Sequence, residues 1–214
     1  MTNALLSVIP ALLCITFHEL AHGYTAYRLG DTTAKDMGRL TLNPIKHIDI
    51  FGLIMMLLFR FGWAKPVPVN MNRFKRPKWY MAITAIAGPL SNIILTVVVL
   101  FIYGILYALM GGNTVQDSSV GGIVLNIVER IAYLSAALAI FNLVPIPPLD
   151  GSKVLFSFFP EPMYYKLMRY ERFGMILLII VLTTNIFSST IGQLTATFFG
   201  KLTAVAQFAY DLVR

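Results

Sequence analysis

Residues 82 to 110 contain no Asp, Glu, Lys or Arg, and that one stretch restricts the chain more than any other feature. A helix needs about 20 apolar residues to cross the ~30 Å hydrocarbon core of a bilayer, so this segment is long enough to cross with tilt. Composition points the same way. The chain is 57% hydrophobic and 13% charged, whereas a soluble domain is nearer about 25% charged. Its 214 residues suit one compact bundle and leave no room for an appended soluble domain of ordinary size.

Further apolar segments run over residues 4–27, 123–144 and 173–187. A shorter one covers residues 50–59. As a helix it would reach only ~15 Å, half a bilayer core. The tail, 190–214, is periodic but interrupted by Gln193, Lys201 and Gln207, so it either spans poorly or lies along the interface. The expected fold is an all-α polytopic membrane protein. It would be a bundle of about four to five transmembrane helices with a short re-entrant or hairpin segment near residues 50–60. Residues 1–214 are expected to form a single integral membrane domain, its core at 4–151 and additional helices at 152–214.

The net charge of +7 does not argue for nucleic acid. The basic residues cluster in three loops, 28–49, 60–78 and 153–172, while the loop 111–122 has none. That is the pattern of the positive-inside rule. The one cysteine, Cys14, lies in an apolar run and reads as a small buried residue. The N-terminus has no basic n-region and its apolar run continues into His18-Glu19. It is therefore expected to be a retained helix rather than a cleaved signal.

The chemistry lies in Phe17-His18-Glu19-Leu20-Ala21-His22, an H-E-x-x-H motif. Helical positions four apart face the same way. His18 and His22 can thus share one zinc ion, with Glu19 placed to take a proton from a water beside it. On a soluble helix the pattern could be a bland surface set. Within an apolar segment each ionisable group costs roughly 2.5–3.5 kcal/mol, and such groups are rare unless paired or functional. A zinc site needs a third protein ligand. Asp150, His47 and Glu129 are the candidates at membrane depth. Asp150 closes Asn142-Leu143-Val144-Pro145-Ile146-Pro147-Pro148-Leu149-Asp150-Gly151.

H-E-x-x-H followed far downstream by N-x-x-P-x-P-x-L-D-G resembles the site-2 protease family of intramembrane metalloproteases, in a small form without a PDZ domain. Gly88-Pro89-Leu90-Ser91-Asn92 also looks like a family feature. The resemblance covers residues 17 to 151. It implies that Asp150 is the third ligand of one zinc ion per chain and that Asn142 helps hold the substrate backbone. It also implies a substrate that is a membrane-spanning segment of another protein. Asn92 has two readings, a contact to substrate or close helix packing.

Topology supplies an independent check. With the basic loops on the cytoplasmic side of a cell membrane, the first span and span 123–144 both run inward. His18, His22 and Asp150 then meet on that side, provided residues 50–59 do not cross. The expected activity is intramembrane peptide hydrolysis within a lipid bilayer, with no nucleic-acid partner. The alternatives are a catalytically silent membrane metal-binding or chaperone-like relative and a small metal transporter. Glu19 disfavours the first, and the clustering of ligands near one face disfavours the second.

Overall fold

The computed structural model describes residues 2–52, 64–112 and 119–214. Among the described residues there are helices and no strand. The helices are α1 (Thr2–Arg28), α2 (Thr33–Asp36), α3 (Pro77–Leu109), α4 (Val120–Asn142), α5 (Asp150–Phe156), α6 (Glu161–Tyr170), α7 (Gly174–Leu182) and α8 (Asn185–Val213). Short 3-10 turns cover Pro44–His47, Met71–Arg73 and Glu171–Phe173.

α3 is the central column, packing on α1, α4, α5 and α8. It opens with Pro77, whose missing N–H costs nothing in a first turn. α4 opens on Ser119, whose hydroxyl accepts from the Gly122 N–H at 3.0 Å and so satisfies one end donor. Ala132, Ser135, Ala136 and Ala139 recur at helical spacing on α4, and all are fully buried. Side chains this small let the helices approach closely, as packing inside a bilayer requires. Val99, Leu100 and Ala132 form the apolar centre, covered by Phe199, Leu202 and Val205 of α8. Buried hydroxyls are spent on backbone: Thr96 and Ser135 each donate to the Asn92 carbonyl at 2.9 Å.

The all-helical expectation holds among the described residues, while the expected four to five spans are not confirmed. Among the described residues two helices, α3 and α4, are long and apolar enough to cross a membrane. The pair Gly174–Leu182 and Phe187–Val213, bent by 82°, makes a third among the described residues if it counts as one span. α1 is 27 residues long, but His18, Glu19 and His22 dilute its second half. The expected continuous span at 173–187 is broken, since α7 ends at Leu182. There the hydroxyls of Thr183 and Thr184 donate to the carbonyls of Ile180 and Val181, both at 2.6 Å. Such local bonds compete with helix continuation. In the tail, α8 packs along α3 and α4.

Between α1 and α3 the chain is pinned by buried polar groups. Asp31 is fully buried and accepts from the backbone N–H groups of Thr33 at 3.0 Å and Asn70 at 2.6 Å. Arg39 donates to the carbonyls of Lys65 at 2.8 Å and Pro66 at 3.3 Å. His47, buried, places Nε2 3.0 Å from the Thr41 carbonyl. The N–H of Lys65 donates to the His47 carbonyl at 2.9 Å. Beyond Gly52, the expected re-entrant segment 50–59 lies outside the described residues. Its two flanks nevertheless meet at that backbone bond.

Candidate metal centre

His18 and His22 sit one turn apart on α1, and Asp150 is the first residue of α5. His18 Nε2 lies 3.1 Å from Asp150 Oδ2, His22 Nε2 lies 3.1 Å from the same oxygen, and the two Nε2 atoms are 3.0 Å apart. All three residues are nearly buried, at 7%, 9% and 7% exposure. Of the three candidates for third ligand, the structure brings only Asp150 to the histidines. His47 is spent on Thr41, and Glu129 is exposed on α4. Among the described residues, His18, His22 and Asp150 form a group able to hold a metal ion.

Hydrogen positions test whether these residues fit zinc. His22 Nδ1 is 2.7 Å from the Thr84 carbonyl. A carbonyl only accepts, so Nδ1 carries the hydrogen and Nε2 keeps its lone pair. His18 Nδ1 lies 3.3 Å from the Asn92 side-chain amide, whose Oδ1 is otherwise unpartnered. A half-turn of that amide exchanges N for O. Oδ1 then accepts from Nδ1–H, and the His18 Nε2 lone pair is free. With the Asn92 amide so turned, both ring N–H groups point away from the centre and three lone-pair atoms face one another, a donor set that suits a metal cation. Zinc binds N and O donors at about 2 Å and commonly takes three protein ligands, leaving a position open. The residues fit.

Two glycines make the approach possible. A Cβ on Gly88 would overlap His22 Nε2 and His18 Cε1, so only glycine lets α3 pass this close to the imidazoles. A Cβ on Gly151 would overlap the carbonyls of Leu143 and Val144, against which the Asp150 turn is folded. Between these parts of the chain, residues 145–148 are non-helical, as expected of a proline-rich stop.

The centre opens into a cavity of about 470 Å³. Glu19 borders it, and its Oε2 accepts from the Val67 N–H at 2.7 Å. Val67 belongs to the stretch 64–70, which has no regular secondary structure. Asn142 also lines the cavity and donates from Nδ2 to the Leu138 carbonyl at 2.9 Å. Asn92 does not line it; the side chain is fully buried, with its amide on His18. Sequence reasoning missed Lys153 and Glu171, which line the cavity as a pair with Nζ 3.4 Å from Oε1. Lys153 stands three residues after Asp150 on one helical face, a spacing that could have flagged it.

The family model for Peptidase family M50 matches residues 7–184. The chain is 41% identical to "Putative zinc metalloprotease YwhC" of Bacillus subtilis (strain 168) over 177 residues, covering 83% of this chain and 80% of that protein. It is 25% identical to "Putative zinc metalloprotease Rip2" of Mycolicibacterium smegmatis over 195 residues, covering 88% of this chain and 70% of that protein. No solved structure matches the chain. With apolar helices long enough to cross a bilayer and a buried His-His-Asp cluster set on the family's motifs, the chain belongs to peptidase family M50, the site-2 protease family of membrane metalloproteases.

Proposed function

We propose that this protein is an intramembrane zinc endopeptidase that hydrolyses peptide bonds within or next to membrane-spanning segments of other proteins. His18, His22 and Asp150 hold one zinc ion, and Glu19 is the general base. The observation that carries the reading is the convergence of His18 Nε2, His22 Nε2 and Asp150 Oδ2, each within 3.1 Å of the other two and nearly buried. When bound, zinc supplies Lewis acidity to a water and to the scissile carbonyl.

The chain's own residues do the rest. Glu19 accepts a proton from water at the cavity edge and passes it to the leaving amine nitrogen. The Val67 N–H fixes the rotation of its carboxylate. Asn92 and the Thr84 carbonyl hold the two imidazoles in the tautomer and orientation a metal needs. Asn142 borders the space where a substrate backbone would lie. A substrate helix must unwind first, because its hydrogen bonds shield the carbonyl. An unwound strand beside Pro66, Val67 and Val69, which border the same cavity, would regain backbone partners.

The basic loops put the centre toward the cytoplasmic side of the cell membrane. Cleavage of a membrane-spanning substrate by purified wild type and Glu19→Gln tests the reading. The variant is expected to keep zinc and lose cleavage, since the residue removed is a base and not a ligand. Robust cleavage by Glu19→Gln would remove the mechanism.

A further inference from the structure

Asp150 uses its two oxygens differently. Oδ2 faces both histidines at 3.1 Å, while Oδ1 faces the ammonium of Lys153 at 3.8 Å. That ammonium is held from its other side by Glu171 Oε1 at 3.4 Å. An i,i+3 ion pair on a helix is ordinarily a solvated surface feature worth a few tenths of a kcal/mol. This one is not on the outer surface. The Lys153 side chain is 23% exposed and lines the cavity with Glu171. Among the described lining residues it is the one ammonium. Glu171 begins the turn leading into α7, so the anchor of Lys153 comes from a different part of the chain than the ligand it faces.

A carboxylate can grip a cation with one oxygen or two. With two, it would fill coordination space that a hydrolytic centre keeps open. An ammonium fixed against the outer oxygen opposes that rotation. We propose that Lys153 is a positioning residue that keeps Asp150 a one-oxygen ligand, and that Glu171 holds Lys153 in place to do so. The proposal rests on the metal-centre reading above. At 3.8 Å the contact is an ion pair and not a hydrogen bond, so Lys153 acts on Asp150 through charge; outer partners of metal-ligating side chains have the general role of orienting the ligand, and their loss weakens metal binding or activity.

The sign of the effect separates this role from a bystander charge. A lysine that merely stood near the centre would repel a divalent cation, so removing it would tighten binding. A lysine that fixes Asp150 would, on removal, loosen it. The test is zinc affinity by competition with a chromophoric chelator, on full-length protein in detergent, for wild type, Lys153→Met, Lys153→Arg and Asp150→Ala. Helix content and the unfolding temperature of the metal-free proteins serve as the fold check. Lys153→Met is expected to weaken binding on the order of 10- to 100-fold, and Lys153→Arg to stay near wild type. With cobalt(II) in place of zinc, the visible bands should change in Lys153→Met and not in Lys153→Arg, because carboxylate denticity alters the coordination number. Unchanged or tighter zinc binding in Lys153→Met would overturn the proposal. If Lys153→Met does not fold, Glu171→Gln is read in its place. A several-fold loss is expected there, and wild-type binding with an unchanged cobalt spectrum would overturn the proposal. Wild-type affinity in Asp150→Ala would overturn the metal centre itself and the proposal with it, a result distinguishable from failure of the lysine alone.

Discussion

The backbone N–H of Val67 donates to Glu19 Oε2 at 2.7 Å, across 48 positions of sequence. Val67 stands between Pro66 and Pro68, neither of which has an N–H to offer. The stretch is held upstream by Arg39, at the carbonyls of Lys65 and Pro66, and downstream by Asp31, at the N–H of Asn70. The loops between α1 and α3 thereby aim one donor at the proposed base.

Removing that donor should be felt in turnover and not in metal content. Val67→Pro deletes the N–H, and a hydrogen bond to a charged group contributes about 1.5–3 kcal/mol. A fall in kcat on the order of 10- to 100-fold is expected, with zinc content at the wild-type level. Val67→Ala keeps the N–H and should stay near wild type. Steady-state kinetics beside metal analysis decides. Full kcat in a folded Val67→Pro would show that the bond does not matter to the reaction.

A methyl group at position 88 has nowhere to go, because both imidazoles stand where it would project. Overpacking of a tight interior costs typically about 1–3 kcal/mol. Here the groups displaced are the ligands themselves. Gly88→Ala is therefore expected to lower both zinc content and unfolding temperature. Gly200→Ala is the control: it lies in α8 with nothing within 4 Å of the added carbon. It should leave both unchanged or raise stability slightly. If Gly88→Ala kept its zinc and its stability, the close approach of α3 would not be a requirement.

What could be read in the sequence follows from the range of the interactions. The pairing of His18 with His22 is local, set by helical spacing, and the expense of such groups in an apolar segment marks them. Asp150 was legible through its motif. The Val67–Glu19 bond was not, nor were the clasp of Arg39 on residues 65–66 and the link from Glu171 to Lys153. Each depends on where the chain returns after a long excursion, and no periodicity encodes that. Hydropathy sees residues 173–187 as one apolar run, whereas the helix breaks there. It is blind to the back-bonding of Thr183 and Thr184 that ends α7. Asn92 looked equally suited to packing or substrate, and its full burial against His18 favours support of the ligand.

The bond from the Lys65 N–H to the His47 carbonyl, 2.9 Å long, places the two flanks of residues 50–59 side by side. Cysteines at positions 46 and 65, introduced singly in a Cys14→Ala background, should be labelled from the same face of sealed membranes by an impermeant thiol reagent. That face should be the cytoplasmic one. Labelling from opposite faces would mean that the intervening chain crosses. The topology that brings Asp150 to the histidines would then need another path.

Metal analysis of the purified protein tests the central claim most directly. The account predicts about one zinc per chain in wild type and strong loss of it in each of His18→Ala, His22→Ala and Asp150→Ala, with helix content retained. Full retention of zinc by folded Asp150→Ala would contradict the three-ligand centre from which the proposed function is derived.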